Sequence, residues 1–229
     1  SEFELFQSIV LSDRFNPVKK AIVAILDTGV DALHEDLKNI YIHEKEKDVK
    51  GHGTHCAGIA GAETYNQKGI ASLGGASKAV QITGIKVLSD NGIGNQAGII
   101  NGIIKAANLG VDVISMSLGG FSNDSKQLAY NQAINYANDK GAIVIVAAGN
   151  SSRDASKFTP ANAKGVIAVS AIDENKNLAT FSNTLENIAM GVAAPGQNIL
   201  STTPEDSYKT FSGTSMATPY VAGLVATFK

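Results

Sequence analysis

Five short apolar runs, rich in β-branched residues, recur along the chain: "AIVAIL" (21–26), "VQITGIKVL" (80–88), "VDVISMS" (111–117), "AIVIVAA" (142–148) and "VIAVSAI" (166–172). Their apolarity is nearly continuous and lacks the alternation of a half-solvated strand. That is the pattern of strands buried on both faces, and so of a parallel sheet. Helical patterns lie between them. "NQAGIINGIIKAANLG" (95–110) gathers Ile99, Ile100, Ile103, Ile104 and Ala107 on one face and stops at Gly110. "DSKQLAYNQAINYANDKG" (124–141) opens on an Asp-Ser cap signal and ends at Gly141. Strands alternating with helices predict an α/β fold, a three-layer αβα sandwich around a mainly parallel central sheet.

A chain of 229 residues, 44% of them hydrophobic, is long enough to bury a substantial core, and no linker or repeat divides it. Residues 1–229 are therefore expected to form a single domain. The formal net charge of −2 gives no pull toward nucleic acid or an anionic membrane. The apolar runs are far shorter than the roughly 20 residues that span a bilayer. "SEFELFQSIV" is acidic where a secretion leader is basic, so no leader is expected there. Cys56 is the single cysteine, which precludes an intrachain disulfide. The charge-rich "HEKEKDVK" (43–50) reads as a solvated surface loop.

Ligands and reactants collect at the carboxyl ends of the strands in such sheets. The apolar runs lead there into Asp27 ("DTGVD"), into "LGG" after Ser117, and into "GN" at Asn150. Near the end, "FSGTSMATPYVAG" (211–223) sets Ser215 between a Gly-Thr turn and an apolar helical pattern. Ser215 there is either a helix cap, with Pro219 tolerated in the first turn, or a nucleophile beside helix-end N–H groups. A serine nucleophile needs a base and a group to orient that base. His34 and His43 lie in polar loop sequence, so the candidate base falls in "GHGTHCAG", where Gly51 and Gly53 flank His52. His55 would sit inside the helix in a packing role. An amide such as that of Asn150 can donate to a developing oxyanion together with the Ser215 N–H. Singly, Asp27, His52 and Asn150 read more readily as turn, cap or loop residues; together, at strand and helix ends of one sheet, they point to acyl transfer.

"ILDTGVDALHEDL", "GHGTHCAG" and "FSGTSMATPYVAG" resemble, in that order, the aspartate, histidine and serine motifs of the subtilases, the subtilisin-like serine proteases. "SLGG" (117–120) and "VAAGN" (146–150) resemble the family's substrate and oxyanion segments. The resemblance implies a serine endopeptidase with Asp27 orienting, His52 as general base, Ser215 as nucleophile and Asn150 as oxyanion donor. It implies that Ser117, Leu118 and Gly119 pair with a polypeptide substrate. "LSDNGIG" (88–94) would be the opposite edge strand, with Gly92 and Gly94 leaving room for a chain. The primary pocket would be lined by 117–119, Ala147, Ala148, Gly149, Phe158 and Thr159, an apolar set suited to broad or hydrophobic specificity. Arg153 and Asp154 lie in the same loop.

The chemistry needs no cofactor. A structural calcium is implied by Asp36 in "HEDL", which matches a family ligand by position, and by Asn66 in the loop that would supply others. Cys56, four residues after His52, shares its helix face, and the wording "HGTHCAG" is that of the proteinase K-like branch. The family also implies a monomer, partners limited to substrates, a propeptide or a protein inhibitor, and secretion as its default. Members usually extend further beyond the serine motif, so the alternative is a non-catalytic subtilase-like binding domain or an inactive fragment. An α/β-hydrolase esterase is disfavoured by the order Asp, His, Ser and by "GTSMA" in place of "GxSxG". A metalloprotein using His52 and His55 as an i,i+3 pair is disfavoured because no "HExxH" occurs and the other histidines lack ligand spacing.

Overall fold

The computed structural model describes residues 19–229. The expectation of no leader in residues 1–10, and the start of the single-domain span, lie outside the described residues. The apolar runs form β1 (Ala21–Asp27), β2 (Val80–Lys86), β3 (Val113–Met116), β5 (Ile143–Ala147) and β7 (Val166–Ile172). With β8 (Gly191–Pro195) they make one six-stranded sheet in the order β2-β1-β3-β5-β7-β8, every pairing parallel. β8 has no signature in the sequence because "GVAAP" is made of small residues and most of it is exposed.

The two faces of the sheet are legible in β1, where side chains alternate with period two. Ala24 and Leu26 enter one buried cluster, with Ile99, Ile103 and Ala107 of α3 (Gln96–Asn108) and Tyr130, Ala133 and Ile134 of α4 (Asp124–Asp139). Val23 and Ile25 enter the other, with Cys56, Ala57 and Ala60 of α1 (His52–Gly61) and Met216, Ala217, Val221 and Ala222 of α5 (Thr214–Phe228). A short α2 (Leu73–Ser77) lies on that second side, against α1 and α5. The expected three layers are thus present. α3 is capped by Asn95, whose side chain accepts from the Gly98 N–H, and Gly110 follows it at φ 70. α4 departs by one residue from its predicted cap. Asn123 accepts from the Lys126 N–H, so Asp124 is the first helical residue, where its charge favours the helix N-terminus.

α5 is apolar nearly all round, as a helix enclosed by protein must be. It crosses α1 at Gly223, where a Cβ would come within 2.3 Å of the Ala60 carbonyl oxygen. That contact sets how deeply α5, and with it Ser215, is seated. Two antiparallel pairs complete the frame: the hairpin of β9 (Ile199–Thr203) with β10 (Ser207–Phe211), and β4 (Gly120–Phe121) with β6 (Phe158–Thr159).

Candidate active site

Asp27 is the last residue of β1 and is fully buried. His52 opens α1, which begins beside the loop that follows Asp27. A Cβ on Gly53 would lie 2.0 Å from the Gly29 carbonyl oxygen, so only glycine permits that approach. The His52 Nδ1 stands 2.7 and 2.9 Å from the two Asp27 carboxylate oxygens. With Nδ1–H donating there, Nε2 is left as the free basic nitrogen. Burial is the largest single influence on the imidazolium and opposes it. The Asp27 charge and hydrogen bond, helped by the charge of Asp48, outweigh that effect and leave the His52 pKa above its ordinary value.

Asp48 overturns the reading of 43–50 as a wholly solvated loop, since it is 4% exposed. Its Oδ1 accepts from the Thr28 hydroxyl (2.9 Å) and the Gly51 N–H (2.8 Å). Its Oδ2 accepts from the Thr54 N–H (2.9 Å) and hydroxyl (2.6 Å). The Thr28 hydroxyl in turn accepts from the Gly53 N–H at 3.0 Å. The carboxylate thereby serves N–H groups that the start of α1 leaves without helical partners, and it ties His52 to the Asp27 loop. The rest of the run, Val49 and Lys50 included, is mostly exposed.

Ser215 is not the cap of its helix; Gly213 is, with no side-chain capping bond. Nor does Pro219 fall in the first turn. It lies in the second, where its missing N–H would have met the Ser215 carbonyl. Two other donors take that carbonyl: the Ser117 hydroxyl at 2.7 Å and the Cys56 thiol at 3.4 Å. The Ser215 hydroxyl rests on the Ser117 carbonyl at 3.4 Å. Cys56 is fully buried, and burial with the nearby Asp27 charge pushes its thiol well up. It stays protonated and donates. Its sulfur, an Asp27 oxygen and a His52 ring nitrogen lie within 4.8 Å of one another, so one side chain bonds the Ser215 segment and lies close to the Asp27–His52 pair.

Asn150 follows β5 and Gly149. Its Oδ1 accepts from the Thr214 N–H (2.8 Å) and the Thr214 hydroxyl (2.9 Å). Those two donors fix the amide's orientation and leave its NH₂ as the group free to donate. The side chain therefore caps α5 from outside the helix and aims a donor beside Ser215.

Two adjoining cavities meet at Leu118, Gly119 and Thr159. One, of about 400 Å³, contains Ser215, Asn150, Ala147, Ala148, Gly149 and Phe158. The other, of about 660 Å³, contains His52, Gly92, Gly94 and Ser117. Every substrate-contact residue expected from the sequence borders one of them. The segment 88–94 is a turn and not an edge strand: the Gly92 N–H donates to the Ser89 carbonyl and the Ser89 N–H to that of Ile93. Gly92, at φ 80, cannot continue a strand. Gly94 serves internal packing, since a Cβ there would meet Leu88 at 2.6 Å. Neither Arg153 nor Asp154 enters the primary cavity. Arg153 lies over the Phe121 ring, and Asp154 accepts from Ser156 and Asn187. Phe121, Tyr130 and Lys50 border the larger cavity without having been marked in the sequence.

His55 and His34 are structural. His55 is fully buried, stacks on Phe211 at 4.3 Å and has Nε2 at 2.9 Å from the Lys209 carbonyl. Burial lowers its pKa to about 4. His34, expected in a polar loop, is also fully buried, between the Ser207 carbonyl and the Asp36 N–H.

Asp36 and Asn66 do meet, but the set does not fit calcium. The Asn66 NH₂ donates to Asp36 Oδ1 at 2.6 Å, while Oδ2 accepts from the Ile70 N–H and the Tyr208 hydroxyl. Asn66 turns its own oxygen to the Lys68 N–H. A calcium cradle presents converging oxygen lone pairs; here N–H and O–H groups converge on the carboxylate.

Residues 18–229 match the model of the subtilase family. The chain is 44% identical over 212 residues to thermitase of Thermoactinomyces vulgaris, covering 89% of this chain and 73% of that protein. It is 40% identical over 228 residues to the major intracellular serine protease of Bacillus subtilis (strain 168), covering 92% and 69% respectively. Among solved structures, a cold adapted subtilisin-like serine proteinase aligns with a TM-score of 0.78 at 32% identity, covering 95% of this chain and 79% of that one. The Bacillus subtilis relative is named intracellular, so family membership does not by itself carry the expectation of secretion.

Proposed function

The chain belongs to the subtilase family, and it is a serine endopeptidase whose chemistry, we propose, runs through Ser215, His52, Asp27 and Asn150. The Ser215 hydroxyl leaves the Ser117 carbonyl and gives its proton to His52 Nε2 as its oxygen attacks a peptide carbonyl carbon. The imidazolium so formed is held by the buried Asp27 carboxylate. The tetrahedral oxyanion takes hydrogen bonds from the Asn150 NH₂ and from the Ser215 N–H, which has no acceptor within the helix. His52 returns the proton to the leaving amine, and the acyl-enzyme is released by water through the same steps in reverse roles.

The substrate lies as an extended chain along Ser117, Leu118 and Gly119, pairing backbone to backbone as an added strand. One side chain enters the cavity floored by Ala147, Ala148 and Gly149, where small and apolar walls favour hydrophobic residues. A propeptide segment or a protein inhibitor would use the same pairing.

The observation that carries this reading is the Asp27–His52 contact at 2.7 and 2.9 Å, which fixes the tautomer a base needs. Labelling with a fluorophosphonate probe tests it, with Ser215→Ala and heat-denatured protein as controls. A stoichiometric adduct on Ser215 in native protein alone is the expected result. No adduct on folded protein would overturn it.

A further inference from the structure

We propose that Lys50 makes this site selective for chains carrying an acidic side chain within a few residues of the bond cleaved. The inference rests on the endopeptidase reading and adds a substrate class to it. Lys50 stands two positions before His52, is exposed, and borders the same 660 Å³ cavity as His52 and Gly92. A Cβ on Gly92 would come 3.8 Å from Lys50 Cε, so the lysine stem lies along the glycine turn that faces the substrate edge. Its charge reaches the catalytic base, where it opposes protonation of His52.

Lys50 has no hydrogen bond or ion pair among the described residues. Other lysines near the surface are held in ion pairs, as Lys86 is with Asp90, Lys105 with Glu46 and Lys68 with Glu35. Among the described residues no carboxylate borders this cavity, whose polar wall is amide and hydroxyl, with Asn91, Asn95, Gln96 and Thr28. The acids beyond that wall are spent. Asp27 is bound to His52, and both oxygens of Asp48 are filled by backbone and threonine donors. Lys126 is a second cation on the border, held to the Phe121 carbonyl at 3.4 Å and standing further along the chain from His52 than Lys50 does. Lys50 therefore faces the substrate path as an uncompensated cation.

A chain laid along 117–119 alternates its side chains to opposite sides. One of them passes between His52 and the Gly92 turn, beside Lys50. A carboxylate there gains an ion pair, and a lysine or arginine meets a like charge. The site is open to solvent, so the effect is a few-fold preference that falls with salt.

The experiment scans Glu, Gln and Lys through each position around the cleaved bond of one neutral peptide and compares kcat/KM within each enzyme variant. Wild-type protein is expected to favour Glu over Gln by about threefold, and Gln over Lys by about as much, at one position. Lys50→Met should remove that contrast and Lys50→Glu invert it, both ratios being independent of any general change in turnover. A contrast unchanged in Lys50→Met, or none at any position in wild type, would overturn the proposal. If the neutral peptide is not cleaved and Ser215 takes no probe, the endopeptidase reading itself fails. Fluorescence anisotropy of the labelled peptides on Ser215→Ala protein then decides the role of Lys50 separately. Binding that ranks Glu above Lys, and loses the ranking when Lys50→Met is added, supports it; charge-blind binding overturns it.

Discussion

Ser117 and Ser215 hold one another by reciprocal bonds: the Ser117 hydroxyl donates to the Ser215 carbonyl at 2.7 Å, and the Ser215 hydroxyl rests on the Ser117 carbonyl at 3.4 Å. The first bond replaces the helical one that Pro219 cannot make. Ser117→Ala should therefore destabilise by about 1–2 kcal/mol, the cost of a carbonyl losing its stronger donor and keeping only the weak Cys56 thiol. Turnover should fall about tenfold, chiefly in kcat, because the nucleophile's backbone is no longer pinned. Adding Pro219→Ala supplies the missing N–H. Urea denaturation should then show most of the lost stability regained, and a double variant no more stable than Ser117→Ala would refute the account.

Asn150 has two duties that a single substitution can separate. Asn150→Asp keeps an oxygen for the Thr214 N–H and hydroxyl, so α5 stays capped. It loses the NH₂ that faces the oxyanion. Thermal stability should hold while kcat falls by about 10²–10³, a range taken over from a member of the same family. Thr214→Val keeps the backbone N–H on the amide oxygen and loses only the hydroxyl that binds Asn150 and accepts from the Gly149 N–H, so it should cost far less in kcat; an equal loss would show that holding this segment and not oxyanion binding matters.

Asp48 should be visible in the pH profile. His52 must be neutral to accept a proton, and its pKa is raised, so the acid limb of kcat/KM is expected above about pH 6.5. Asp48→Asn removes a negative charge that helps hold the proton on. The limb should move to lower pH, even as the amide's NH₂ meets the Thr54 or Gly51 N–H and costs about 1–3 kcal/mol of stability. A limb that stays in place would assign Asp48 a purely structural role.

His55 predicts a stability slope. Its folded pKa is about 4 and its unfolded value is ordinary, so the unfolded chain binds the extra proton between about pH 4 and 6.5. The stability that a neutral, buried His55 confers is complete above about pH 6.5. It is lost as pH falls toward and through the folded value, by up to about 3 kcal/mol. His52 runs the other way: its pairing as a cation stabilises below its unfolded pKa and is lost as pH rises through the folded one. Urea midpoints of His55→Phe across this window should show a flatter slope than wild type; an unchanged slope would remove the assignment.

The sequence by itself determined the strand and helix order and the positions of Asp27, His52, Asn150 and Ser215. Burial on both faces demands β-branched runs, a helix repeats its apolar face every three to four residues, and motif wording is contiguous. Each of these is written within one segment of chain. Tertiary structure decided what depends on atoms brought together from afar. Ser117 meets Ser215 across 98 positions, and Asn150 caps Thr214 across 64. Asp48 looks like one more charge in a solvated run until the fold brings Thr28 to it. Asp36 and Asn66 match a calcium pattern, yet Tyr208, 172 positions away, helps fill the carboxylate. β8 has almost no apolar signal and is a strand only because β7 offers it an edge. Local pattern reports what a segment prefers; which donor reaches which acceptor is set by how the segments pack, and the chemistry of this site is made of those pairings.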